Sequence, residues 1–316
     1  MSDHWIAVLS GGLSHERDVS LRSGRRVSAA LRGTGLTVQE WDTDARLLSR
    51  MAEQRPDAVV IALHGGSGEN GSLQGVLEML DIPFVGSDSP ACRRVWDKPT
   101  AKAELRRAGL QTPDWVVLPH SSFRELGAHS VLDAIVAKLG LPLMLKPDQG
   151  GSSLGAQVVR DAAELPAAMV GAFSYGDTVL VERFVNGTEL AIAVLDTPDG
   201  ARALPAVEIV PESGVYDYAA RYTAGLTDFH APARLEPDLA AEVAKQAVRA
   251  HEQLGLRDLS RADVILGADG EVAFLEMNSS PGLTETSLLP MAVQAAGRSL
   301  GEVFAGLIER AIARSS

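Results

Sequence analysis

AVVIALHGG, residues 58–66, is an apolar run too short for a helix that ends on a glycine pair. WIAVLSGG, residues 5–12, follows the same plan. A helical pattern comes after each, from about Ser20 to Leu31 and around Leu73–Leu80. Short apolar strands alternating with helices predict a parallel α/β sheet, with ligands beyond the carboxyl ends of its strands. Both glycine loops, carrying His15, Glu16, His64 and Glu69, are therefore expected at one edge.

Working outward, a second unit begins near Asp97-Lys98-Pro99. It holds the strand LPLMLKP (141–147), a glycine turn, the strand GAQVV (155–159), a helix from about Ala162, and TVLVERFV (178–185). A third unit carries more strands, a helix over about Leu239–Leu254 stopped by Gly255, and a hairpin at 261–278. The expected division is 1–97, 98–183 and 184–316. A chain of 316 residues exceeds what one core usually fills, which suits it. The last helix is the clearest: Ser299 and Glu302 form a capping box, and Leu300, Val303, Phe304, Leu307, Ile308, Ala311 and Ile312 make one apolar stripe. That stripe is core.

With 46% hydrophobic and 22% charged residues, the composition is that of a soluble globular protein. A net charge of −12 argues against nucleic acid or an anionic membrane surface as partner. No stretch approaches the roughly 18 apolar residues of a membrane span, and the N-terminus lacks a secretory pattern. Cys92 is the single cysteine, which suits a reducing cytoplasm, and it reads as a buried bystander. Lysine is scarce: of 29 basic residues only Lys98, Lys102, Lys138, Lys146 and Lys245 are lysine. A lysine retained where arginine serves elsewhere points to a compact point charge, and draws attention to Lys98 and Lys146.

SRADVIL (260–266) and EVAFLEMN (271–278) flank the turn sequence Gly267-Ala268-Asp269-Gly270. A two-residue loop at 268–269 places Asp263 opposite Phe274; a loop at 269–270 places it opposite Glu276. In either register Arg261, Asp263, Glu276 and Asn278 share a face, with Val272 and Phe274 beside them. Two carboxylates and an amide oxygen form a hard-oxygen site suited to Mg²⁺ or Mn²⁺, and the lack of His or Cys disfavours zinc. The plain alternative is a solvated polar row with an Arg261–Glu276 ion pair.

KPDQGGSSLG (146–155) offers backbone amides, two hydroxyls and a lysine able to hold phosphate, although it is no Walker A loop. VLVERFVNGTEL (179–190) could hold adenine and ribose, or be an interdomain strand with solvated glutamates. In NSSPGLTETSLLP (278–290), Thr284, Thr286 or Ser287 is expected to cap a helix whose N-terminus binds a carboxylate.

Together these elements, with GGLSHERDVSLRSG (11–24), HGGSGENGSLQG (64–75), Lys98 and YDYAARY (216–222), resemble the D-alanine–D-alanine ligases of the ATP-grasp superfamily. The resemblance spans residue 6 to about 295. It implies ATP between the central and C-terminal units, with Lys98 and Lys146 at the phosphates, Glu189 at the ribose and the strand around Glu182 at adenine. Ser153 and Arg221 would join the ATP contacts. Asp263, Glu276 and Asn278 would hold two Mg²⁺ or Mn²⁺ ions. Glu16 would grip the first substrate's ammonium near His64, and Ser287 with Leu288 the second substrate's carboxylate. Arg261 and the Gly282 amide would steady the oxyanion. Glu16, Ser152 and Tyr222 would close a loop over the site. A cytoplasmic homodimer serving peptidoglycan precursor synthesis is implied as well.

Two positions depart from the family pattern: Arg221 stands where lysine is usual, and Asn70 where aspartate is common. A same-fold ligase with D-lactate, D-serine or another acceptor, and a non-catalytic nucleotide sensor, are the alternatives; Tyr222 favours an amine acceptor. A nicotinamide dehydrogenase is disfavoured, since the glycines do not fit G-x-G-x-x-G.

Overall fold

The computed structural model describes residues 4–223 and 225–315, leaving aside the Tyr222 side chain. Strands β1 (Trp5–Ser10), β2 (Thr37–Asp42), β3 (Ala58–Ile61) and β4 (Phe84–Val85) form a parallel sheet in the order β2-β1-β3-β4. The central strands β1 and β3 read as continuous apolar runs because both faces are covered, whereas the edge strand β2 (TVQEWD) is largely exposed. Ile6, Val8 and Val60 pack with Val27 and Leu31 of the helix Arg17–Arg32. Ala7, Leu9, Val59 and Ile61 pack with Leu73 and Leu77 of the helix Ser72–Met79 on the other side. The two glycine loops leave the same edge and touch: the Ser14 hydroxyl donates to the His64 carbonyl at 2.6 Å.

A second sheet is antiparallel and runs β5-β8-β6-β7, from β5 (Trp115–Pro119), β6 (Leu143–Pro147), β7 (Gln157–Val159) and β8 (Thr178–Arg183). The third contains β9 (Thr188–Thr197), β10 (Gly200–Ala203), β11 (Val207–Pro211), β12 (Thr227–His230), β13 (Leu259–Leu266) and β14 (Val272–Asn278). Its order is β12-β11-β9-β13-β14, with β10 paired to β9. The helix Pro237–Gln253 covers one face of it. The last helix, Leu300–Ser315, has the expected capping box, with reciprocal bonds between Ser299 and Glu302 at 3.0 and 3.2 Å.

The β13–β14 hairpin differs from both expected turns. Gly267 N–H donates to the Glu271 carbonyl at 2.8 Å, so the loop has three residues and Leu266 pairs with Val272. Gly270 closes it at φ +83°, the left-handed position such loops require. Continued regularly, that register would set Leu275 against Asp263. An irregularity between Asp263 and Val264 skips Leu275 and restores Asp263 opposite Glu276. Parity therefore changes along β14. Val272 and Phe274 pack with Val264 against Val243 and Ala247, on the face away from the carboxylates, contrary to expectation.

A Cβ added at Gly270 meets nothing within 4 Å, so substitution there tests the backbone alone. Gly270→Ala is expected to lower stability by about 1–2 kcal/mol, with an unchanged denaturant slope, and Gly270→Asn to cost less. Equal loss from both in a urea titration would mean that the left-handed turn is not what the glycine serves.

Candidate active site

Asp97 caps the helix Lys98–Arg107 by accepting from the Thr100 amide at 2.8 Å, which sets Lys98 on the first turn. Lys98 is buried; its Nζ donates to the Gly150 carbonyl at 2.5 Å and lies 3.8 Å from Glu276 Oε2. Lys146, near the end of β6, reaches Glu182 Oε1 on the neighbouring β8 at 2.6 Å. These groups border a cavity of about 390 Å³ between the second and third sheets, together with Glu189, Asp263 and Arg221. That volume suits a small-molecule ligand.

A second chamber of about 70 Å³ adjoins it, and Gly151, Tyr216, Arg221 and Glu276 border both. Glu16, His64, Ser152, Arg261, Gly282 and Ser287 line this smaller space, with Leu288 also part of the core. Glu16 stands just before its helix, and its carboxylate accepts from the Ser152 hydroxyl in a short bond. A Cβ at Gly65 would lie 2.4 Å from Glu16 Oε2, so the second glycine loop can approach only without a side chain.

Ser152 and Ser153 both hold left-handed backbone, φ +54° and +56°, at a cost of about 1–2 kcal/mol each. Side chains pin them: Glu16 binds Ser152, Arg221 Nε donates to Ser153 Oγ at 2.9 Å, and Ser153 Oγ donates to the Tyr216 carbonyl at 3.2 Å. Arg221 also lies over the Tyr216 ring at 4.3 Å. Its short helix, Tyr218–Tyr222, is capped by Asp217. The Tyr222 side chain lies outside the described residues, so only the Glu16–Ser152 part of the expected closing set can be traced.

Ser287 precedes the helix Leu288–Ala295 but does not cap it through its side chain. Its hydroxyl accepts from the Thr284 amide at 3.0 Å and bonds Thr284 Oγ1 at 2.8 Å, because the turn folds the two together. Asn70 bonds locally as well, its side-chain oxygen accepting from the Ser72 amide at 2.9 Å in the turn before the helix Ser72–Met79.

Burial dominates the electrostatics. It drives the His64 imidazole down to about 4, so this ring, 2.7 Å from Ser23 Oγ, is neutral. It lifts Glu69 to about 8, with the Glu16 charge adding to the effect, so Glu69 holds a proton at neutral pH. Burial also raises Glu189 to about 7 and Glu16 above its usual range. Glu276 goes the other way: burial opposes ionisation, but Lys98, Lys146, Arg221 and Arg261 outweigh it and hold the carboxyl near 2.

Asp263 is gripped by Arg261 through two bonds of 2.6 Å, an ion pair within one strand that replaces the alternative Arg261–Glu276 pair. Asn278 Oδ1 accepts from the Ser280 amide at 2.8 Å. Among the described residues, no group of three or more His, Cys, Asp or Glu side chains is arranged to hold a metal ion. Two carboxylates and an amide oxygen beside a cavity do fit Mg²⁺, which commonly takes one or two protein carboxylates and completes its shell with phosphates and water.

Three features escaped sequence reasoning. Lys102 is buried against Glu182 Oε2 at 2.7 Å, although its rarity as a lysine was a usable signal. Glu69 stood out only as a loop residue, and Ser23, the partner of His64, carried no signal. Cys92 is buried as expected, its thiol pushed up to about 12 by burial.

Comparison with known proteins adds to this geometry. The family model of the D-ala D-ala ligase C-terminus matches residues 105–309, and that of the D-ala D-ala ligase N-terminus residues 37–87. A D-alanine–D-alanine ligase from Bordetella petrii is 42% identical over 97% of this chain and 91% of its own length. One from an Anaeromyxobacter species is 43% identical over 96% of this chain and 94% of its own. Among solved structures, a Bacillus anthracis D-alanine–D-alanine ligase complexed with ATP superposes with a TM-score of 0.82 at 28% identity, covering 99% of this chain and 98% of that one. A D-Ala:D-Ser ligase from Enterococcus faecalis gives 0.83 at 29% identity, covering 98% and 100%.

The burial of His64 is directly measurable. Its imidazole is expected to stay neutral down to about pH 5 in ¹⁵N NMR, while an ordinary histidine titrates near 6.5. Since the folded value lies below the unfolded one, this residue costs the fold stability as pH falls from about 6.5 to 4. A titration midpoint near 6.5 for His64 in the folded protein would contradict its burial.

Proposed function

Because the chain belongs to the D-alanine–D-alanine ligase family, we propose that it joins two D-alanine molecules at the expense of ATP, in the service of peptidoglycan precursor synthesis. The observation that carries this reading is the pair of adjoining chambers meeting at Glu276 and Arg221. The larger, lined by lysines, suits a nucleotide; the smaller suits two small amino acids.

In this reading Lys98, Lys146, Ser153 and Arg221 bind the phosphates, Glu189 the ribose, and the strand around Glu182 the adenine. Asp263, Glu276 and Asn278 hold two Mg²⁺ or Mn²⁺ ions, which when bound neutralise phosphate charge. Glu16 holds the ammonium of the first D-alanine beside neutral His64, and its carboxylate attacks the γ-phosphorus, releasing ADP and leaving an acyl-phosphate. Ser287 and Leu288 hold the second D-alanine's carboxylate. Its free amine attacks the activated carbonyl, and phosphate leaves. Arg261 spends two of its five N–H donors on Asp263 and offers others, with the Gly282 amide, to the oxyanion. Ser152 with Glu16 and Tyr222 closes the loop, excluding water that would hydrolyse the acyl-phosphate.

Units at 1–97, 98–183 and 184–316 are proposed, a division that the presence of three sheets supports, with the first supplying Glu16 and His64. No described helix is long and apolar enough to cross a membrane. A cytoplasmic homodimer is proposed by analogy with the family.

With D-alanine and MgATP, ADP, phosphate and D-alanyl-D-alanine should appear in equal amounts. Phosphate release without dipeptide would overturn the assignment, as would full activity under chelation or in Glu276→Gln. Offered D-alanine and D-lactate together at neutral pH, the enzyme should make mainly dipeptide by mass spectrometry.

Arg221 provides a finer test. Arg221→Lys should keep kcat within about tenfold, roughly 1.4 kcal/mol of barrier, and Arg221→Ala should lose much more with little change in KM for ATP. A nearly normal alanine variant would place Arg221 outside the chemistry.

A further inference from the structure

Lys102 has no contact with either chamber, yet it is buried in a position that bears on the nucleotide. It lies one turn after Lys98 on the helix Lys98–Arg107, so the two lysines share a helix face. Its Nζ donates to Thr112 Oγ1 at 2.5 Å and to Glu182 Oε2 at 2.7 Å, and it sits 5.0 Å from the centre of the Trp115 ring. Thr112 in turn donates to the Phe274 carbonyl at 2.8 Å, tying this corner to β14. The other Glu182 oxygen takes Lys146 Nζ at 2.6 Å.

The arrangement poses a question of charge. A lysine paired with a carboxylate at 2.6 Å is half of a neutral pair, and a neutral pair attracts a triphosphate weakly. Lys102 changes the sum. Two ammonium groups around one carboxylate leave a net positive charge, and a buried carboxylate has both oxygens satisfied. Side-chain exposure shows where that charge can emerge: Lys102 and Glu182 are each 2% exposed, and Lys146 12%. Lys146 and Glu182 border the larger cavity, and Lys102 lies behind them.

We propose that Lys102 is a positioning residue for the nucleotide: by neutralising Glu182 from behind, it leaves the charge of Lys146 free to act on the phosphates. The inference rests on the larger chamber being the nucleotide site. It assigns Lys102 an effect on phosphate-bearing ligands and none on the adenine or on D-alanine.

Lys102→Met removes the charge and keeps an unbranched apolar side chain of similar length. Titration calorimetry should show affinity for ADP with Mg²⁺ reduced about tenfold or more, with adenosine affinity changed less than about twofold. KM for ATP should rise while KM for D-alanine holds. Adding Glu182→Gln to Lys102→Met deletes the carboxylate that would otherwise cancel Lys146, so the ratio of ADP to adenosine affinity, in which any change at the adenine cancels, should recover. A general packing defect predicts instead that adenosine and ADP weaken together and that the second substitution brings no recovery; either result overturns the proposal. Should Lys102→Met alone not fold, the double variant is compared with Glu182→Gln. Without the carboxylate Lys102 has nothing to offset, so the two should bind ADP within about threefold of each other, and a gap of about tenfold would refute the idea. Unmodified protein that prefers adenosine to ADP would remove the nucleotide reading itself and the proposal with it, whereas normal ADP binding in Lys102→Met removes the proposal alone.

Discussion

Asp263 lies opposite Glu276 because the bulge at Leu275 cancels the extra residue in the turn that follows. Without that cancellation one strand would present its carboxylate to the cavity and the other would bury its own against Val243 and Ala247. An unpaired carboxylate there would cost several kcal/mol, so the register and the charge pattern enforce one another. Cations gather around this pair. Arg261 is held by Asp263, Lys98 approaches Glu276, and Arg221 lies where the two chambers meet.

The site is an exercise in burying charge with partners. Lys98, Lys102, Lys146 and Arg261 are opposed by Glu182, Asp263 and Glu276, and Glu182 and Glu276 stay ionised beside their cations. Glu69 has no cation in contact and keeps its proton instead. His64 answers the same pressure by staying neutral. One low-dielectric region thus contains ionised groups suited to phosphate and metal next to neutral groups suited to an amino acid.

This geometry needs the parallel sheet to stay put, because Glu16 and His64 come from it and Arg261 from the third sheet. Asp258 supplies part of that constraint. It is fully buried, accepts two bonds from Arg314 at 2.6 and 2.7 Å, and accepts a third from the Gly86 amide at 2.8 Å. Arg314 also donates to the Phe84 carbonyl. The end of β4 is thereby fastened to the start of β13 and the last helix, and the smaller chamber is framed between units far apart in sequence.

What the amino-acid sequence determined by itself was local and periodic. Apolar runs ending in glycine at 5–12 and 58–66 specify parallel strands, a stripe repeating every three to four residues specifies the last helix, and two strand-like runs flanking a glycine-bounded turn at 267–270 specify a hairpin. Each follows from the geometry of a single element and its turn. What only the tertiary structure decided was whatever depends on neighbours distant in the chain. The skip at Leu275 lies within the β13–β14 pairing, while β13 pairs without interruption with β9 on its other side, so hairpin parity is not settled by the turn alone. Lys102 is buried because Thr112, Trp115 and Glu182 arrive around it from other elements. The protonation of Glu69 and His64 comes from solvent exclusion, a sum over all surrounding atoms that no short stretch of sequence encodes.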